Sequence, residues 1–221
     1  MMVLTRSRLL LTNDTGPMHV AAALDVPVVV HLDHGYTLEE CRAAREAVGL
    51  LDISAFSRYE VSGPKAEAWL DRLMASKLPK PGRAKLAPML APNGRLKGDL
   101  TVFNWGDGTF WIMGSYYLRA WHMRWFEDHM IDGVTVRDLG DDTSGFSLSG
   151  PASRRVIEKL SDGPVGALPF MGCGAFDIGL LRCKVGGLSV AGELGYEIHC
   201  RAGDHPGGKI GSIQRAFDRC V

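Results

Sequence analysis

Apolar residues recur along the chain with two different periods, and the switches between them mark the elements. Ala66, Trp69, Leu70, Leu73 and Met74 follow i, i+3, i+4, i+7, i+8 spacing, which predicts a helix with one buried face. Pro64 suits the first position of that helix, where its missing N–H costs nothing. Upstream, Thr37-Leu38-Glu39-Glu40 reads as a capping box for a helix that runs to about Val48 and stops at Gly49. Residues 50–54 and 57–63 read as strands, the second alternating at Tyr59 and Val61. Residues 84–91 and 96–104 predict a hairpin about Pro92-Asn93-Gly94, an Asn-Gly turn signal. A strand at 110–113 follows, then a helix over 116–130 with Tyr117, Trp121 and Trp125 as its buried stripe. Strands at 134–138 and 145–149, a second helix, and a hairpin of 175–185 with 188–199 turning at Gly186-Gly187 complete the pattern. The pattern dissolves after about Asp204.

One segment occurs twice. Residues 61–73 read VSGPKAEAWLDRL and residues 148–160 read LSGPASRRVIEKL. Each is a strand end, a Gly-Pro turn and a helix, and each precedes a hairpin. Internal similarity of this kind constrains the whole architecture. The predicted fold class is α+β: pseudo-duplicated strand-helix-hairpin units with largely antiparallel pairing. Gly98-Asp99-Leu100 and Gly192-Glu193-Leu194 then read as acids at corresponding corners of the two units.

Residues 1–36 do not share this pattern. Asp14-Thr15-Gly16-Pro17-Met18-His19, a small-residue helix over 19–24 and a Val-rich strand after Pro27 suit a parallel α/β unit. The stretch resembles the sugar-nucleotide-site motif of ADP-heptose:lipopolysaccharide heptosyltransferases, and nothing downstream continues that family. The expected organisation is an unrelated, mis-joined segment 1–36, a main unit 37–204 and an irregular tail 205–221.

Formal charge is zero, from 25 basic and 25 acidic side chains, so there is no electrostatic reason to expect nucleic acid or an anionic membrane as partner. No apolar run approaches the roughly 18 residues of a spanning helix, and the N-terminus lacks a signal-peptide cleavage signature. Five scattered cysteines without C-x-x-C or His spacing read as reduced thiols of a cytoplasmic protein, not as metal ligands.

Asp99 opens the list of chemical candidates. It follows a turn and a Gly before the half-buried run Leu100 to Phe103. Spacing alone favours a turn-closing acid over a carboxylate tuned as a base or as an ammonium partner. Glu193 and Glu197, beside Tyr196, sit four residues apart in an extended segment and so share a face, unless a bulge at Gly195 re-aims one. Such carboxylates can be a solvated strand face. They can also accept paired hydrogen bonds from the amino group and ring N–H of a flat heterocycle. His122 and His129 read as neighbours of core aromatics, and Ser62 and Ser149 as helix caps.

From about Glu40 to Asp204 the chain resembles the folate-binding, aminomethyltransferase-like domain of the glycine cleavage T-protein superfamily. It is most similar to the C-terminal part of dimethylglycine and sarcosine dehydrogenases. The segments that carry this are ECRAAREAVGLLDISAFSRYEVSGPKAEAWLDRL, GRLKGDLTVF, LSGPASRRVIEKL and GELGYEIHC. The resemblance implies tetrahydrofolate as cofactor and one-carbon transfer as activity. The donor would be an aminomethyl or iminium compound, and a separate flavoprotein or lipoyl carrier a further partner. It places Asp99 beside the folate nitrogens and Glu197, rather than Glu193, on the pterin edge. Where T-proteins usually carry a folate-contacting Tyr, this chain has Val190. The family's downstream Arg, its C-terminal barrel and the flavin-binding half of the dehydrogenases have no counterpart, so dehydrogenase activity is not expected. The alternatives are a non-catalytic remnant that folds or binds folate weakly and, from residues 9–30 alone, a glycosyltransferase fragment.

Overall fold

The structure is a computed structural model, and it describes residues 44–161, 163–189 and 193–202, residue 42, and two short strands. Those strands, β1 (Leu10–Thr12) and β2 (Val28–Val30), pair in parallel. The predicted helix over 19–24 and the capping box at Thr37 lie outside the described residues.

The main body is built from two five-stranded sheets. The first has the order β5 (Arg83–Leu90), β6 (Leu96–Asn104), β7 (Phe110–Gly114), β4 (Ser57–Ser62), β8 (Thr135–Asp138). The second has the order β10 (Cys173–Ile178), β11 (Leu181–Gly186), β12 (Gly195–Arg201), β9 (Thr143–Ser149), β3 (Gly49–Asp52). All the ladders in both sheets are antiparallel. The α+β class and the duplication are both present in this architecture, because the two sheets have one topology. In each, a strand leads through a Ser-Gly-Pro turn to a helix, a hairpin and a fourth strand that returns beside the first.

Alignment of Ser62 with Ser149, carried along the registers, equates Val61 with Leu148, Phe110 with Tyr196, Trp111 with Glu197 and Phe103 with Gly186. The leading strands are exchanged. β3 precedes the first unit in sequence but pairs with β9, and β8 precedes the second but pairs with β4. At the seam, Arg83 pairs with Gly172, its own counterpart. Two reciprocal bonds close that seam, Ala84 N–H to Met171 O at 2.7 Å and Cys173 N–H to Gly82 O at 2.9 Å.

Helices cover the outer faces. Strand alternation sends Tyr59, Val61, Leu100, Val102 and Ile112 outward, where they pack against helix α1 (Ala66–Leu73) and helix α2 (Arg119–Asp128) through Trp69, Leu70 and Phe126. Leu148, Val185, Tyr196 and Ile198 pack against helix α3 (Ser153–Leu160) through Val156 and Ile157. The inner faces meet at Phe103, Trp105, Trp111 and Met113, with His199 against the edges of Phe103 and Trp111. The result is a four-layer helix-sheet-sheet-helix sandwich.

Several local expectations are corrected. The second hairpin turns at Gly179-Leu180, where Gly179 takes φ 58°, and not at Gly186-Gly187. Gly186 ends β11, and a Cβ there would meet Leu188 Cδ2 at 2.6 Å and Phe103 Cε1 at 2.8 Å. Gly49 opens β3 instead of ending a helix. Pro64 lies in the turn ahead of α1, and neither α1 nor α3 has a side-chain cap. Ala66 and Ser153 donate instead to the Gly63 and Gly150 carbonyls, and the Ser149 hydroxyl pairs with Ser147. On α2 the buried positions are His122 and Phe126, whereas Tyr117 is 84% and Trp121 46% exposed. The aromatic stripe lies one step round the helix from the core, and the Lys97 ammonium covers Trp121 and Trp125 at 4.4 and 4.6 Å from their ring centroids.

Candidate functional site in the inter-sheet space

Two of the acids selected from the sequence lie on strand faces turned to the opposing sheet. Asp99 is on the same face of β6 as Thr101 and Phe103, the face turned to the other sheet. It is exposed and lies within the strand opposite Pro88, not at the turn. Glu197 is on the inner face of β12, flanked by Gly186 and Ser147 across the two ladders, and is 6% exposed. Asp99 thus stands on the open part of one sheet and Glu197 on the buried part of the opposing one.

The other two lie elsewhere. Glu193 precedes β12 and accepts from Arg45 Nε at 3.1 Å. It does not share the face of Glu197, because the regular strand begins only at Gly195. Nor does it correspond to Asp99 in the repeat. Asp99 is in the third strand of its unit, and Glu193 precedes the fourth strand of the other. Tyr196 points to the opposite side of β12, packs in the α3 core and donates its hydroxyl to Gly166 O at 3.1 Å. Val190 is outside the described residues.

Beneath Glu197 lies a polar cluster that sequence reasoning missed. Arg58, on β4, is fully buried. Its Nε donates to Thr143 Oγ1 at 2.7 Å, Nη1 to Ile53 O at 3.1 Å, and Nη2 to Ser54 O at 2.6 Å and Thr143 O at 3.1 Å. Burial pulls the guanidinium below its ordinary value, opposed by the charges of Asp52 and Glu197. His199 Nε2 approaches Glu197 Oε2 at 3.6 Å, a charge-dipole contact longer than a hydrogen bond. Burial lowers the His199 pKa despite Glu197, so the ring is neutral. A single side-chain-free position joins them: a Cβ on Gly145 would stand 2.9 Å from Arg58 Nη1 and 3.0 Å from His199 Nδ1. The period-two spacing of Glu197 and His199 was a usable signal for the histidine. Arg58 alternates with Glu60 and gave none.

Among the described residues no protein donor lies within hydrogen-bond distance of the Glu197 carboxylate, and no group of three or more His, Cys, Asp or Glu could hold a metal ion. A buried carboxylate can bind an N–H edge presented from the inter-sheet space. No helix among the described residues is long and apolar enough to cross a membrane.

This chain belongs to the family described as the GCVT N-terminal domain, which matches residues 16–207. It is an aminomethyltransferase-type domain of the kind found in glycine cleavage T-proteins and dimethylglycine dehydrogenases. It is 30% identical over 169 residues to the aminomethyltransferase of Bacillus subtilis (strain 168), covering 75% of this chain and 47% of that protein. It is 29% identical over 170 residues to the mitochondrial dimethylglycine dehydrogenase of Mus musculus, covering 75% of this chain and 20% of that one. Among solved structures, the glycine cleavage system aminomethyltransferase T of Bartonella henselae superposes with TM-score 0.69 at 20% identity, over 81% of this chain and 48% of that one. The heterotetrameric sarcosine oxidase of Corynebacterium sp. U-96 gives 0.60 at 18% identity, over 80% and 89%. Both likenesses are of fold. The chain spans about half the length of the aminomethyltransferases it matches and a fifth of the dehydrogenases.

Proposed function

We propose that this domain binds tetrahydrofolate in the inter-sheet space and supports transfer of a one-carbon unit to it from an aminomethyl or iminium donor. The observation that carries the reading is the placement of Asp99 and Glu197 on opposed inner faces. The exposed carboxylate is free to meet a donor and manage a proton, and the buried one is suited to bind the pterin N–H edge. Folate supplies the nucleophilic nitrogen that accepts the carbon. The protein supplies orientation, through Glu197 at the flat end of the ligand and Asp99 at the reacting nitrogens. Glu193, held by Arg45, and Tyr196, turned into the α3 core, are given no ligand contact in this proposal. Family membership supports the assignment, and a lipoyl carrier or flavoprotein as donor-side partner is part of the same proposal.

Calorimetric titration with tetrahydrofolate is the test. Saturable binding that Glu197→Gln weakens and Asp99→Asn leaves in place is the expected result. Absence of binding by the intact chain would overturn it. Retained binding without transfer from any aminomethyl donor would identify a folate-binding shell instead.

A further inference from the structure

The cluster under Glu197 has a directional order that the packing itself imposes. Arg58 and His199 approach the same bare Cα of Gly145, the guanidinium through Nη1 and the imidazole through Nδ1. The other ring nitrogen, Nε2, is the one directed to Glu197 Oε2. Neither nitrogen has a hydrogen-bond partner among the described residues, and the side chain is completely buried. The ring makes T-shaped contacts with Phe103 and Trp111, at centroid distances of 6.5 and 5.9 Å.

A neutral imidazole carries its single proton on one nitrogen or the other, and the neighbours decide which. A guanidinium is donor-only and cationic, so it favours a lone pair on the nitrogen nearest to it. A carboxylate is acceptor-only and anionic, so it favours the N–H on the nitrogen nearest to it. The two preferences agree. We propose that His199 is a positioning residue for Glu197, held by Arg58 and Gly145 as the Nε2–H tautomer so that its N–H dipole faces one carboxylate oxygen across 3.6 Å and leaves the other turned to the inter-sheet space. The consequence for folate rests on the functional reading above, whereas the tautomer and its coupling to Glu197 do not.

The first repeat shows what the second has built. Its residues at the positions of Glu197 and His199 are Trp111 and Met113, and the Trp111 indole donates to Glu60 at 3.2 Å. One repeat has an apolar pair there and the other a carboxylate facing an imidazole nitrogen at 3.6 Å. Recognition of the N–H edge is therefore assigned to the second repeat, while the first contributes Asp99.

The test has a spectroscopic arm and a binding arm. Long-range nitrogen-proton correlation on nitrogen-15 histidine-labelled, ligand-free protein reads the tautomer, with the His199→Gln variant supplying the assignment. The expected spectrum has a protonated Nε2 and a bare Nδ1, and Glu197→Gln shifts the Nε2 signal while Asp99→Asn does not. A protonated Nδ1, or an Nε2 signal indifferent to Glu197→Gln, overturns the proposal whether or not folate binds. In the binding arm, His199→Phe is expected to raise the tetrahydrofolate Kd on the order of tenfold. His199→Gln, whose amide N–H reaches the Nε2 position, should restore most of it, and His199→Asn, which reaches only Nδ1, should not. Equal behaviour of Gln and Asn overturns the positioning role. Failure of the unaltered chain to bind folate refutes the functional reading and leaves the tautomer to be decided by the spectrum.

Discussion

The guanidinium of Arg58 lies over Gly145, the residue that occupies Arg58's own position in the second repeat. Adding a methyl group there would press on Arg58 Nη1, His199 Nδ1 and Ile53 Cγ1, all within 3.1 Å. All three are buried. Gly145→Ala is therefore expected to lower unfolding free energy by about 1–3 kcal/mol, more than the few tenths gained from a stiffer unfolded chain. Urea denaturation of the two proteins measures it, and an unchanged midpoint would contradict the close approach.

Asp99 is exposed and accepts no ion pair among the described residues, so its replacement should spare the fold. Asp99→Asn is expected to keep the thermal midpoint and the tetrahydrofolate affinity while lowering one-carbon transfer at least about a hundredfold. Full transfer activity in that variant would remove Asp99 from the chemistry.

His122 and His199 are both buried, and burial holds each ring below the ordinary 6.5 of histidine. The unfolded chain then takes up protons below about pH 6.5 that the folded chain refuses, so stability rises with pH across that window. It is complete above the unfolded value and is lost as pH falls toward the folded one, by up to about 1.4 kcal/mol per pH unit for each ring. Denaturation midpoints at about pH 7.5 and about pH 5.5 should differ accordingly, and the difference should shrink in the His122→Gln, His199→Gln double variant. A difference that persists would assign the slope to other groups.

The two faces of α2 provide a direct contrast. Phe126 is fully buried against Tyr59 and Trp69, at ring-centroid distances of 5.2 and 5.9 Å. Phe126→Ala should cost about 3–5 kcal/mol. Trp121 is half exposed and held chiefly by Lys97, so Trp121→Ala should cost about 1 kcal/mol or less. Equal losses would return Trp121 to the core.

The duplication was legible because a Gly-Pro turn between a strand and an amphipathic helix leaves a local mark, and the sequence carries that mark twice. Antiparallel pairing and the first hairpin followed from the Asn-Gly turn. The second hairpin was misplaced because Gly186-Gly187 imitates a turn, whereas glycine at 186 answers to the close approach of Leu188 and Phe103. The stripe of Tyr117, Trp121 and Trp125 misled for a related reason. Periodicity identifies a face of a helix but not which face meets the sheet, and here a cationic side chain shields the outward one. Glu197 and Asp99 were selected through their motifs, and alternation along β12 and β6 puts both on inner faces. The third partner of the buried cluster, Arg58, could not be, because its charge is satisfied by main-chain carbonyls that no side-chain pattern reveals.

The exchanged leading strands and the reciprocal bonds at Arg83 and Gly172 are what two copies of one chain would make in an isologous dimer. The seam still has that symmetry, but the side chains across it do not. A true dimer of the first repeat would set guanidinium against guanidinium at position 58 and ring against ring at position 103, where the second repeat offers Gly145 and Gly186. Each half has become the mould of the other, so neither could be replaced by a second copy of its twin.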